Sequence, residues 1–245
     1  MYIGVFLLPL FFLPWTTGVL ELNKQILLIV VAGAGMVAWL LGVVSSGSLS
    51  WRNNYLDRGV IALLGAFIVS AVFSMTKFKS LVGLSTSLSN SLVSIITLTL
   101  LYFLVVNSFE DKGRTLRSIL GFSLVLALVY GLLQVFGVYL IRLPVSMSRA
   151  FNTAGSINAL GLIAAVSLPL FSKGRFDLKW LKNIHLEKVG VILSLVILIV
   201  LNWWVLWTVA IAGMVAMIVF ENLGGGRFRM KKLILPMTVV VLGVF

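Results

Sequence analysis

Arg149 leads into a run of small and polar residues, Asn152-Thr153-Ala154-Gly155-Ser156-Ile157-Asn158, and then into the apolar stretch Leu162 to Phe171. A cation and the start of a helix are thereby set side by side at the edge of a hydrophobic segment. The first N–H groups of a helix have no intrahelical partner, and its dipole is positive at that end. Such a place suits an anionic headgroup or a phosphate. An interfacial loop whose Arg reaches toward lipid phosphates has the same local chemistry, so both readings stay open. Catalytic chemistry is far less visible. The chain has no cysteine, which removes thiol catalysis, disulfides and cysteine–metal sites, and one His with seven acids suggests no metal centre. His185 stands among Lys182, Asn183, Glu187 and Lys188 with no nucleophile nearby, the pattern of a solvated loop residue.

The elements that must position these residues are membrane spans. Of 245 residues, 60% are apolar and 11% charged, and the mean hydropathy is +1.14. A chain with so little polar surface reads as an all-α, polytopic transmembrane bundle. Its net charge of +12 does not point to nucleic acid, because the basic residues sit in short loops between apolar runs. The N-terminus lacks a basic leader and a small-residue cleavage site, so 3–20 is expected as a retained span.

Further spans are expected over 25–44, 59–75, 88–106, 119–140 and 158–171. The fourth carries a polar stripe, Ser87, Asn90, Ser91, Ser94 and Thr97, which either packs against another helix or lines a wet cavity. Residues 189–220 are apolar but for Asn202-Trp203-Trp204. One helix of that length would extend about 48 Å against a hydrocarbon core of about 30 Å, so two short spans with a turn near Asn202 are expected. Leu233–Phe245 begins a ninth span and stops inside it. A carboxylate there would lie in hydrocarbon, so the single transmembrane domain, 1–245, is expected to be incomplete at its C-terminus.

With about nine spans and a cytoplasmic N-terminus, 14 of the 19 Lys and Arg residues fall in inner loops, as positive-inside topology requires. The outer loops hold Lys24, Lys77, Lys79, Arg142 and Arg149 against Glu21 alone. Arg142, Arg149 and Lys24 are candidate anion-binding residues on that side, and the start of the 158–171 span, at Asn158, converges there with the two arginines.

Several segments carry a resemblance. They are Glu21-Leu22-Asn23-Lys24-Gln25, Asp57, Ser70 with Ser74, Gly131-Leu132-Leu133-Gln134-Val135-Phe136-Gly137 and Phe151 to Leu160. Together, across most of the chain, they resemble the bacterial O-antigen ligase and polymerase family, although each is short and mostly apolar. The resemblance implies a multi-pass protein of the bacterial inner (plasma) membrane that uses neither metal nor cofactor. It implies transfer of a glycan from an undecaprenyl-pyrophosphate donor to a lipid, glycan or protein acceptor at the outer face. Gly155 and Asn158 match the Gly and second Asn of the family's Gly-Asn-Pro-Asn element, with Ser156 and Ile157 between them. Arg149 takes the place of a basic residue that often precedes it. Trp204-Val205-Leu206 stands where the family often shows Ser-Arg-Gly. The family's catalytic His lies on a long outer loop after a later span, so no catalytic residue is assigned within these 245 residues. A transporter, or a non-catalytic membrane assembly subunit, is the alternative reading. Against the transporter stand the absence of a clear internal repeat and of acids inside spans.

Overall fold

The computed structural model describes residues 2–15, 20–48, 54–83, 91–108, 113–143, 146–173, 176 and 185–223. Every regular element among them is helical: α1 (Tyr2–Leu7), α2 (Glu21–Ser46), α3 (Tyr55–Val72), α4 (Lys77–Val82), α5 (Leu92–Ser108), α6 (Gly113–Val135), α7 (Ile157–Lys173), α8 (Leu186–Leu201) and α9 (Trp204–Leu223). The all-α class is as expected. Two helices, α2 and α6, are long and apolar enough to cross a membrane, while α5, α7 and residues 204–220 of α9 are apolar but shorter. Full spanning length is thus met by two of about nine expected segments. The expected ninth, 233–245, lies outside the described residues.

Helix ends differ from expectation where backbone chemistry intervenes. The first segment is helical only to Leu7. Pro9 has no N–H to donate and biases the preceding Leu8 away from helical geometry, which ends the run early. α6 stops at Val135, although apolar residues continue to Leu140. Gly137 takes φ 81°, its N–H reaches the Gln134 carbonyl at 2.9 Å, and Val138 N–H reaches the Leu133 carbonyl at 2.8 Å. That is a left-handed glycine cap, which satisfies the last carbonyls and turns the chain. The turn expected near Asn202 is present, between α8 and α9. Asn202 is left-handed (φ 38°), caps α8 through its N–H to Leu198, and accepts the Trp207 indole N–H at 3.3 Å.

The chain divides into two compact units, Met1–Leu116 and Arg117–Phe245. In the first, α5 packs with α2, α3 and α4. Polar groups tie these helices together. The Gln25 amide donates to Ser91 at 3.3 Å and Ser94 at 3.0 Å, and the Tyr102 hydroxyl donates to buried Asp57 at 2.8 Å. Asp57 also accepts the Asn54 N–H, which anchors the start of α3. The stripe is therefore a helix-packing face at Ser94 and at Ser91 just before α5, and Thr97 bonds back to the Val93 carbonyl of its own helix. Ser87 and Asn90 lie outside the described residues.

In the second unit α7 is the central helix, packed on α8 and α9. Ala165, Leu168, Leu195, Leu198, Leu206, Trp207, Ala210 and Met214 form one apolar cluster. Val125, Leu128, Leu160, Ala164, Phe171, Leu186 and Ile197 form another. Ser167 and Ser194 share a buried hydrogen bond at 3.1 Å. A methyl group on Gly190 would fall on the Phe171 ring, so α7 and α8 approach through a residue without a side chain.

Candidate functional site

The connection between α6 and α7 carries two of the four candidate residues, Arg142 and Arg149, and leads into Asn158 at the start of α7. Gln134, in the last turn of α6, is fully buried. Its amide donates to the Tyr130 hydroxyl at 2.9 Å and to the Ser146 carbonyl at 3.1 Å. The loop is thereby pinned to the end of α6. Ser146 in turn knots the loop on itself, accepting the Leu143 N–H at 3.0 Å and donating to the Leu143 and Ile141 carbonyls. The other side of the Gln134 amide, Oε1, is buried without a hydrogen-bond partner among the described residues.

Arg149 folds over the glycine cap of α6. A methyl group on Gly137 would lie 3.6 Å from its Nε and 3.7 Å from its Nη2. The guanidinium thus sits at the carbonyl end of α6, where the helix dipole is negative and a cation is favoured by about 0.3–2 kcal/mol. The side chain remains exposed, so its outward edge can meet a ligand. Arg142, on the same loop, is exposed as well.

Asn152 shapes the approach to α7. It is buried, and its Oδ1 accepts the N–H groups of Ala154 at 2.9 Å and Gly155 at 3.0 Å. Gly155 follows at φ 124°, a conformation that few side chains tolerate. Ser156 then caps α7, its hydroxyl accepting the Ala159 N–H at 3.1 Å. One of the first-turn donors expected to meet an anion is therefore satisfied by the chain itself. Asn158 lies in that first turn with an exposed side chain.

Arg142, Arg149 and Asn158 thus share one end of the second unit, on the loop and helix start that follow α6. Lys24 belongs to the first unit, half-buried in the first turn of α2 beside the Gln25 that binds Ser91 and Ser94. His185 is exposed at the start of α8 and makes no side-chain cap there. Asn152, Ser146 and Gln134 are the residues whose importance the sequence understated. Asn152 had a signal in the Asn-x-x-Gly spacing typical of a side-chain-closed turn. Gln134 had one as an amide inside an apolar run. Ser146 had none.

No protein-family model matches the chain, and neither a curated protein nor a solved structure is found similar to it.

Proposed function

We propose that the chain is the membrane portion of a glycan transferase of the O-antigen ligase or polymerase type. It would act at the outer face of the bacterial plasma membrane on an undecaprenyl-pyrophosphate-linked glycan. The observation that carries this reading is the α6–α7 connection. It is an internally hydrogen-bonded loop with Arg142 and Arg149 exposed and no acidic residue between Phe136 and Ser156. A planar guanidinium can pair two phosphate oxygens at once, and the α7 start adds a dipole of the right sign. The membrane reading is supported by α2, whose most apolar window has a hydropathy of 2.6 yet is only 11% buried. A helix that apolar in a water-soluble core would be mostly covered.

In this chemistry an acceptor hydroxyl attacks the anomeric carbon, and the bond to the pyrophosphate oxygen breaks. The cations take up charge that develops on the leaving pyrophosphate. The proton goes to a general base that is not assigned among these residues.

The test is binding of a fluorescent polyprenyl pyrophosphate to the full chain in nanodiscs. Arg149→Ala should weaken binding by about 10-fold, the loss of one charge-assisted phosphate contact worth about 1.5 kcal/mol. Arg149→Lys should restore part of it, and Asn158→Ala should weaken binding less. Melting temperatures measured alongside separate binding from the seat of Arg149 on Gly137. Unchanged donor affinity in both alanine variants would remove this site.

A further inference from the structure

The opposite end of the second unit holds a different feature. A cavity of about 300 Å³ is lined by Arg117 of α6, Pro169, Leu170 and Lys173 of α7, and Met217 of α9. Among the described residues, none that lines it is a carboxylate. Its shape follows from the helix contacts. Pro169 lies inside α7 and has no N–H for the carbonyl one turn back. α9 comes close at that point: a methyl group on Gly213 would stand 3.1 Å from Pro169 Cγ. Lys173 and Met217 lie one helical turn beyond Pro169 and Gly213 respectively, so the cavity opens just past this approach, toward the helix ends. Two cations rim it, and apolar side chains form its wall. Arg117 is half-buried, with Leu170 and Met217 also half-buried.

Position along the bundle indicates the ligand. From Arg117 to Gln134 is about 25 Å of helix at 1.5 Å per residue, comparable with a hydrocarbon core of about 30 Å. The cavity and the α6–α7 loop thus stand at opposite ends of α6. Lys173 and Arg117 adjoin the segments that carry most of the positive charge of the chain, which is the cytoplasmic signature. An anion with an apolar body meets both kinds of lining at that depth.

We infer that Arg117, Lys173, Pro169, Leu170 and Met217 form a headgroup site for an anionic phospholipid of the inner leaflet. Arg117 takes the phosphodiester oxygens as a fork, Lys173 adds a point charge, and the glycerol and upper acyl carbons lie against Leu170 and Met217. This rests on the membrane-spanning part of the proposed function and not on glycan transfer.

The experiment uses the full chain in phosphatidylcholine nanodiscs titrated with spin-labelled phosphatidylglycerol. Two juxtamembrane cations at about 1 kcal/mol each correspond to a preference of about thirtyfold over labelled phosphatidylcholine. Arg117→Gln with Lys173→Gln should abolish most of that preference, and Arg117→Lys with Lys173→Arg should keep most of it. Arg58→Gln with Lys188→Gln removes the same charge from exposed positions outside the cavity and should leave the preference in place. Equal losses in both glutamine pairs would mean a diffuse basic surface and overturn the site. No preference in the unaltered chain would do the same. Displacement of the lipid by millimolar inorganic phosphate would show an ion site in its place. Release of the chain from membranes by alkaline carbonate would sink the spanning reading and this site together. Insertion without a lipid preference sinks the site alone.

Discussion

The two units are held together by different means. In the second, the side chains of Leu128, Leu168, Leu198, Leu206 and Ala210 are wholly inaccessible, and small residues let helices close on them. Among the described residues of the first, few apolar side chains are deeply buried; polar contacts join its helices through Gln25 with Ser94 and Asp57 with Tyr102, and Asn23 holds the segment before α2 at the Leu13 carbonyl. On the membrane reading proposed above, burial of apolar surface between helices gains little, because the lipid tail is as apolar as the neighbour it replaces. What remains is close fit or hydrogen bonding. The second unit leans on fit, with the Ser167–Ser194 bond added, and the first leans on polar pairs, with α1 also closing on α2 at Gly4.

That comparison breaks most sharply at Gly190. In Gly190→Val the new side chain would collide with the Phe171 ring, and overpacking of this kind costs about 1–3 kcal/mol or more. The variant should lose monodispersity in mild detergent. Retention of an unchanged melting temperature would show that α7 and α8 are not locked by fit.

Tyr102→Phe comes next. It takes one donor from a buried carboxylate that keeps the Asn54 N–H, and should cost about 1–3 kcal/mol in reversible unfolding from detergent. In an Asp57→Asn background the same change should cost much less, and equal costs would deny the coupling. The smallest effect belongs to Gln25→Leu. Interhelical hydrogen bonds in membranes average about 0.6 kcal/mol, so the loss should be of that size. A cost as large as that of Gly190→Val would erase the distinction between the units.

How much of this was legible depended on whether a local rule had one outcome. The break at Asn202 was legible because a single helix over 189–220 would be far longer than a hydrocarbon core, and Asn202 interrupts the apolar run. Helix ends were less so. Apolar residues from Val138 to Leu140 extend the α6 pattern, yet one left-handed glycine with two carbonyl contacts ends it. Pro9 was visible, but a proline can kink a span or stop it, and here the helix stops. At the candidate site the charges were legible and their supports were not. Arg149 announces itself as a cation. Its seat over Gly137, and the pin from Gln134 to Ser146, depend on how the loop folds back. Asn158 stood out by its match to a motif. The buried, turn-forming role of the nearby Asn152 carried no such mark.

The membrane-spanning α6–α7 pair with an outward basic loop is the claim on which the rest depends. The chain has no cysteine, so single cysteines can report each face. The decisive measurement is labelling of Ser148→Cys and Thr115→Cys in intact cells with a membrane-impermeant maleimide, both positions being exposed. The account predicts that Ser148→Cys labels from outside and that Thr115→Cys labels only after permeabilisation. Labelling of both from the same side, or the reverse order, would contradict it.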